Sequence, residues 1–116
     1  MIGYKLFRKR KDGSYGPLFI NKAQKLFIGE EYIAECHPTK GYTERPGWHV
    51  CKRPHAPHLT MNKRVWCVVS FTHRETIKRP AHQGGIWYLG SDIEIIRELT
   101  DQDVARILNN DLLVKV

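Results

Sequence analysis

The segment Arg64-Val-Trp-Cys-Val-Val-Ser-Phe71 predicts the clearest β-strand of the chain. Nearly every position is apolar, and most of the residues are β-branched or aromatic, the types that strands favour. Because neither face of such a strand is polar, both faces have to be covered by other parts of the protein. We therefore expect this strand to lie at the centre of a sheet.

Shorter strand-like segments precede it. Tyr4–Arg10 alternates bulky apolar and cationic residues and leads into Asp12-Gly13, a dipeptide typical of hairpins whose type I′ turn needs positive φ at both central positions. The return strand, 15–20, contains Gly16-Pro17, which indicates an edge strand or a bulge. Two further brief strands are expected at 31–36 and 47–51.

The C-terminal side predicts a second pair of strands and a helix. After a turn at Gln83-Gly84-Gly85, the paired strands are expected at Ile86–Leu89 and Ile93–Leu99. Thr100-Asp-Gln-Asp103 resembles a capping box, and apolar residues follow it at helical spacing. The expected fold is α+β: a strand-dominated small domain with one or two curved, mostly antiparallel sheets and a C-terminal helix.

Size and charge set further limits. The 116 residues suffice for a single domain, 1–116, with a basic strand-rich part, 1–99, and an acidic helical segment, 100–116. The net charge is +7; residues 92–116 hold six carboxylates against three cations, which leaves +10 on residues 1–91.

No apolar run approaches the ~20 residues that span a bilayer, and the N-terminus lacks the apolar core of a signal peptide. With three cysteines and no export signal, a cytoplasmic protein without a membrane partner is expected.

The excess of cations predicts a polyanionic partner. A cationic surface attracts nucleic acid because bound counterions are released into solution. Nucleic acid or a nucleoprotein complex is therefore the expected partner, while the oligomeric state is not predicted. The alternative role for the hairpin cations is a charged strand edge that deters aggregation. The residues expected to contact nucleic acid are Arg8, Lys9, Arg10, Lys11, Lys52 and Arg53.

A stiff loop is expected at 45–59, which contains three histidines, three prolines, a tryptophan and a cysteine. Prolines fix φ and remove backbone donors, so most of this segment is neither helix nor central strand. Loops of this kind often carry recognition or chemistry. Its candidate pocket residues are Trp48, His49, His55 and His58.

Zinc is the cofactor to consider, because tetrahedral zinc takes cysteine and histidine ligands. The candidate ligands are Cys36, His37, His49 and Cys51, but their spacing matches no zinc knuckle. Buried thiols and exposed imidazoles are the favoured interpretation, so no cofactor is expected. The sequence also lacks a nucleophile elbow, convincing paired carboxylates and a phosphate-binding Gly-rich loop. No catalytic residue is assigned, and an enzyme is the less favoured class.

Several motifs resemble a group of small phage and prophage proteins. Arg45-Pro-Gly-Trp-His49 and Gln83-Gly-Gly-x-Trp-Tyr-Leu89 carry the resemblance, together with Tyr4-Lys-Leu-Phe-Arg8, Ala56-Pro-His-Leu59 and Arg64-Val-Trp66. The resemblance implies a mobile element and the interior of a host cell. Small phage proteins often act on host machinery, including nucleic-acid-guided defence complexes of the CRISPR type. The leading hypothesis is therefore a basic, phage-type binding protein that docks on nucleic acid or a nucleoprotein complex, and the resemblance suggests antagonism of a host defence system as its role.

A second resemblance is to the ADP-ribosyltransferase-like fold. Arg8 on the first strand and His49 after Gly47 match its first two motif positions, but Gln83 stands near the position where that family has a catalytic glutamate. The resemblance implies a nucleotide-binding enzyme or a degenerate enzyme with a cleft lined by Arg8, Trp48 and His49. A protein–protein inhibitor without nucleic-acid contact is the third hypothesis.

Overall fold

The computed structural model describes residues 1–18, 23–34 and 47–114, with side chains through 109. Within these ranges six strands form one sheet and one α-helix follows them. Predictions that involve residues 19–22, 35–46 or 115–116 lie outside the described residues, among them the zinc candidates Cys36 and His37. The elements are β1 (Ile2–Lys9), β2 (Tyr15–Gly16), β3 (Glu31–Ile33), β4 (Trp48–Cys51), β5 (Arg64–Lys78), β6 (Ile86–Glu98) and α1 (Asp101–Val114).

The strand predicted around Val68 is central, as expected. β5 pairs with β1 on one side, from Ile2↔Ser70 to Arg8↔Arg64, and with β6 on the other. Its side chains alternate between two apolar clusters, with Val69 in one and Trp66 in the other. Both faces of the predicted segment, Arg64–Phe71, are therefore covered, and the strand-dominated, antiparallel architecture agrees with the predicted α+β class.

Four strands close into a ring. β4 pairs with β6 from Trp48↔Gly90 to Cys51↔Trp87, and it also meets β1 at Tyr4↔Cys51. Because β1 pairs with β5 and β5 pairs with β6, the order β1-β5-β6-β4 returns to β1. We call these four strands the strand ring. The β1–β4 contact is its narrowest joint, and it runs past Gly3, where a Cβ would lie 2.4 Å from Val50 Cγ1.

The structure corrects the prediction of two paired strands after Gly85. Residues 86–98 form one long strand, β6, which pairs back onto β5 instead of folding on itself. Register shifts between Val68/Val69, Phe71/His73 and His73/Glu75 bend the hairpin, so the polar residues near its middle mark a bend and not a turn. β5 correspondingly extends past Phe71 to Lys78, because ladder hydrogen bonds to β6, and not burial, hold that mostly exposed part.

The two apolar clusters lie inside and outside the ring. The inner cluster includes Phe7, Val50, Val69 and Ile93. Successive strand residues point to opposite faces, so their neighbours form the outer cluster. The outer cluster contains Leu6, Cys51, Ala56, Trp66, Trp87 and Leu99, and it is flanked by Leu59 from the 52–63 loop and by Val104 and Ile107 of α1.

The N-terminal hairpin exists, but its turn differs from the predicted type I′. β1 and β2 pair at Arg8↔Gly16 and Lys9↔Tyr15, leaving residues 10–14 as the loop. Gly13 has φ 88, whereas Asp12 does not have positive φ. The Asp12 carboxylate instead accepts bonds from the Ser14 N–H (3.0 Å) and hydroxyl (2.7 Å), which stabilise a longer loop.

The predicted capping box is confirmed at the start of α1. The Thr100 N–H donates to Asp103 Oδ2 (3.0 Å), and the Asp103 N–H donates to Thr100 Oγ1 (3.1 Å). Val104 and Ile107 face the outer cluster. Across the described ranges, no helix combines the length and apolar content that crossing a bilayer requires.

Candidate functional site around Trp87

Trp87 anchors a group of cationic and imidazole side chains on the outside of the strand ring. It lies on β6 and is only 8% exposed. Its indole Nε1 donates a 2.7 Å hydrogen bond to the Gln83 carbonyl. The turn that brings this carbonyl back over the indole contains Gly84 and Gly85, whose φ values are 98 and 76. The sequence of the turn therefore fixes the orientation of the ring.

Three side chains from three different segments surround this indole. The His49 ring, on β4, has its centroid 6.4 Å away, and the His58 ring, from the proline-rich loop, has its centroid 5.9 Å away. Arg79, just past the end of β5, places its Cζ atom 5.2 Å from the Trp87 ring centroid. We call Trp87, His49, His58 and Arg79 the Trp87 cluster.

The loop that carries His58 is anchored on its N-terminal side. Lys52 donates its backbone N–H to the Ile86 carbonyl at 3.2 Å, and Pro54 and Ala56 are buried. The His55 carbonyl lies so close to Gly84 that a Cβ there would be 2.6 Å from the oxygen. Prolines limit the remaining freedom of the loop, so His58 is presented from a stiff support.

The two segments that supply the cluster carry several cations and imidazoles. Residues 47–64 and 76–91, which supply all of its members, contain no aspartate or glutamate. Desolvation, then the nearby Arg79 guanidinium and His82, lower the pKa of His58 below its usual value of 6.5. Within the described part of the protein, the Arg79 Nε atom is buried and has no hydrogen-bond partner. An anion beside His58 would oppose the effect of these two cations on its pKa.

The structure brings together some of the predicted pocket residues and separates others. His49 and His58 flank the same indole, whereas His55 is exposed and contributes its backbone carbonyl to the packing. Trp48 packs against the inner cluster, and its Nε1 donates to the Tyr32 carbonyl at 3.1 Å. Since Trp48 faces the other side of the sheet, the expected cleft of Arg8, Trp48 and His49 is not formed.

Two of the predicted hairpin cations serve the fold. Lys9 Nζ bonds Glu98 Oε1 at 2.8 Å and the Tyr15 hydroxyl at 3.1 Å, and the Glu98 bond raises the pKa of Lys9. Arg10 donates to the carbonyls of Tyr15 (3.1 Å) and Gln24 (3.0 Å). These contacts join the hairpin to β6 and to the segment before β3. Both side chains are therefore held by internal hydrogen bonds.

The other predicted nucleic-acid residues lie at two ends of the ring. β1 and β4 are antiparallel and meet at Tyr4↔Cys51, so β1 continues one way to Arg8 and Lys11 while β4 continues the opposite way to Lys52 and Arg53. At about 3.3 Å per residue, Arg8 is roughly 13 Å from the meeting point on the far side. The expected single patch of Arg8–Lys11 with Lys52 and Arg53 is therefore two separate groups.

A metal site was expected only as an alternative. Burial raises the pKa of the Cys51 thiol to about 12, so at neutral pH it is protonated and a poor metal ligand. In the described ranges, no group of three or more histidine, cysteine or acidic side chains could hold a metal ion. His49, the other candidate there, packs edge-on against Trp87.

Sequence reasoning missed the residues at the centre of the site. Trp87 lies in a predicted apolar strand, where packing in a core is the simplest expectation, and no motif in the sequence singles out Arg79. The available signal was the interval 76–91, which contains a glycine pair and no acidic residue. It indicates a site only once the structure shows that it lies beside segment 47–64, which also has no acidic residue. Comparison finds no matching family model for this sequence, and no match among the curated proteins or the solved structures.

Lys5 lies behind the cluster, inside the strand ring. Its Nζ atom donates to the His49 carbonyl at 2.8 Å and lies 5.7 Å and 5.9 Å from the ring centroids of Phe7 and Trp48. Burial in this aromatic setting lowers the pKa of Lys5 to about 8. The lysine thus holds the backbone of a residue whose side chain is part of the Trp87 cluster.

Proposed function

We propose that the protein binds nucleic acid, free or within a nucleoprotein complex, through the end of the strand ring that carries the Trp87 cluster. The observation that carries the proposal is the meeting of two acid-free segments, 47–64 and 76–91, at one place in the fold. We call this surface the basic end. Its members are Lys52, Arg53, His55, His58, Lys78, Arg79 and His82.

The hydrogen-bond register explains why these cations lie close together. Ile86 on β6 pairs with Lys78 on one side and accepts the Lys52 N–H on the other. Neighbouring strands are about 4.8 Å apart, so the backbones of Lys52 and Lys78 are separated by roughly 10 Å. Both side chains belong to exposed residues. This spacing suits contacts with successive phosphates of one strand.

The proposal differs from the sequence-based prediction in its location. Lys9 and Arg10 bond to Glu98 and to backbone carbonyls, whereas the basic end has no carboxylate in its own segments. Among the described residues Lys52 and Lys78 form no ion pair, so phosphate contact by these two lysines does not have to break one. The phage-type role, antagonism of a nucleic-acid-guided host defence complex, remains the proposed biological setting.

Binding should show the salt dependence of counterion release. We expect fluorescence anisotropy with labelled oligonucleotides to give an affinity that falls steeply as salt rises. Lys52→Gln with Lys78→Gln should weaken binding about tenfold near 0.1 M salt and reduce the slope of log K against log salt by about 1.4 to 1.8. The matched control is Lys25→Gln with Arg106→Gln, which removes two cations that bond Asp12 and Asp103. Equal losses in both variants, or a flat salt response, would contradict the proposal.

A partner that is purely protein would give a different result. Retention of a host protein by the wild-type chain after exhaustive nuclease treatment, unaffected by Lys52→Gln with Lys78→Gln, would support the protein–protein inhibitor instead. Under the proposal, nuclease treatment or the double substitution releases the host material. Pull-down from host lysate with these two arms separates the hypotheses.

A further inference from the structure

Arg79 is oriented before any ligand arrives. Its backbone N–H donates to the Gly85 carbonyl at 2.7 Å, and its guanidinium lies over the Trp87 ring. Within the described residues the buried Nε atom has no hydrogen-bond partner, and Arg79 forms no ion pair. A guanidinium stacked in this way keeps a planar fork of donors, the geometry that binds two oxygens of one phosphate.

His58 lies against the other part of the same indole. Its ring centroid is 5.9 Å from that of Trp87, and Arg79 and His82 are its charged neighbours. His49 contacts the indole as well, from β4. One arginine and two imidazoles thus contact one indole, and the segments that carry them, 47–64 and 76–91, hold no carboxylate. A single anion with more than one negative charge would match this concentration.

We propose that the Trp87 cluster binds a phosphomonoester, the terminal phosphate of a nucleic-acid strand, with Arg79 gripping two oxygens and His58 contacting a third. This inference rests on the proposed function and specifies which part of the nucleic acid the site selects. Lys52 and Lys78 would follow the adjoining phosphodiesters.

The charge of the ligand distinguishes a strand end from a strand interior. A phosphomonoester carries about −1.5 to −2 charge at pH 7, because its second pKa is near 6, whereas an internal diester carries one charge. In the free protein, nearby cations help to lower the pKa of His58. A bound dianion raises that pKa, so His58 takes up a proton when the phosphate binds. Lowering the pH from 8 to about 6.5 should therefore strengthen the preference for the phosphorylated end.

The test compares two forms of one oligonucleotide. A short single strand with a 3′ fluorophore is prepared with a 5′-phosphate or a 5′-hydroxyl, and anisotropy is measured at pH 6.5 and pH 8. We expect the phosphorylated strand to bind about tenfold more tightly at pH 6.5, with a smaller difference at pH 8. Equal affinity for the two ends, when both bind, would overturn this inference while leaving the proposed function standing. Failure of both strands to bind would overturn this inference and also the proposal that the protein binds free nucleic acid.

Substitutions assign the preference to the cluster. Arg79→Gln and His58→Gln should each reduce the preference towards unity while hydroxyl-ended strands still bind, whereas Lys52→Gln should weaken both strands by the same factor. His58 is exposed, so His58→Gln keeps the test valid if loss of Arg79 disturbs the packing of Trp87. A preference that survives both substitutions would exclude this site.

Competition identifies the source of the phosphate. A nucleoside 5′-monophosphate and inorganic phosphate are titrated against the bound, phosphorylated strand. Displacement only at millimolar concentrations supports a strand end, because the neighbouring phosphates then contribute to affinity. Displacement at micromolar concentrations would show that the ligand is a free phosphomonoester and would overturn the assignment to a nucleic-acid end.

Discussion

Lys5 connects β1 to β4 through a side chain and places an amine among aromatic rings. Its Nζ atom donates to the His49 carbonyl, and burial lowers its pKa from the ordinary 10.5 to about 8. A lysine whose folded pKa is depressed costs stability while it is charged. That cost is present below pH 8 and is relieved as the pH rises from about 8 towards 10.5.

We expect Lys5→Met to gain its largest advantage over the wild type near neutral pH and to lose that advantage by pH 10. The change in the difference should be on the order of 1–2 kcal/mol in the free energy of unfolding, measured by urea denaturation. The difference is the correct quantity, because the raised pKa values of Tyr15 and Cys67 act in the opposite direction in both proteins. A pH-independent difference would show that Lys5 does not titrate in this range.

Gly84 matters to the site for two physical reasons. Its φ of 98 disfavours any side chain, and a Cβ would lie 2.6 Å from the His55 carbonyl oxygen and 3.0 Å from Trp87 Nε1. Gly85→Ala is the matched control, since φ is 76 and nothing lies within 4 Å of a Cβ there. We expect Gly85→Ala to cost about 1 kcal/mol in unfolding free energy and Gly84→Ala clearly more, up to about 3 kcal/mol. Similar losses in the two variants would mean that the loop of His55 yields freely.

At the scale of elements, the start of α1 can be tested through its reciprocal cap. Thr100 accepts the Asp103 N–H, and the Asp103 carboxylate accepts the Thr100 N–H. We expect Thr100→Ala to lower the unfolding free energy by about 1 kcal/mol, while Thr100→Ser keeps the hydroxyl and leaves stability nearly unchanged. Urea denaturation followed by the helical circular dichroism signal measures both. Identical curves for the two variants would mean that the cap does not stabilise the protein.

The lowered pKa of Asp103 predicts how the stabilising effect of this cap changes in acid. The bond from the Thr100 backbone lowers the pKa of Asp103 below its ordinary 3.8. A depressed carboxyl pKa contributes stability above the ordinary value, and that contribution is lost as the pH falls through the folded pKa. The difference between wild type and Asp103→Asn should therefore shrink in acid. A constant difference down to pH 2 would contradict this assignment.

Local sequence signals predicted the elements that local chemistry determines. The continuous apolar run at Arg64–Phe71, the capping box at Thr100 and the hairpin at Gly13 all correspond to described elements. The extension of β5 to Lys78 and the continuity of β6 across residues 90–92 were missed, because hydrogen bonds between the two strands hold those residues and they carry no apolar run. Pairing partners far apart in sequence leave no mark on either segment alone.

The candidate site shows the same limit. The imidazoles of His49 and His58 could be nominated from composition, but the indole that unites them belongs to a segment about thirty residues further along the chain. Trp48, adjacent to His49, faces the other side of the sheet because strand residues alternate. Which of two neighbouring aromatics joins a site is decided by strand register, and register requires the partner strand.

The whole molecule can be probed through its two described thiols. Cys67 lies in the inner cluster and Cys51 in the outer cluster, and burial raises the pKa of each to about 12. In a Cys36→Ser background, we expect both thiols to resist a thiol reagent in the native protein and to react at the same rate as urea is raised, since closure of the ring makes both depend on one opening event. Faster labelling of Cys51 would show that the outer layer opens by itself.

The joint between β1 and β4 has a consequence beyond this fold. One residue pair, Tyr4↔Cys51, and the Lys5–His49 bond span it, whereas seven pairs join β1 to β5. If the strand ring opens, it opens between β1 and β4. Opening exposes one edge of each strand, with N–H and C=O groups that can pair with the other edge. At high concentration, each edge can find its counterpart in another copy. The β1–β4 joint of the strand ring is thus the place where two copies would exchange strands to form a dimer.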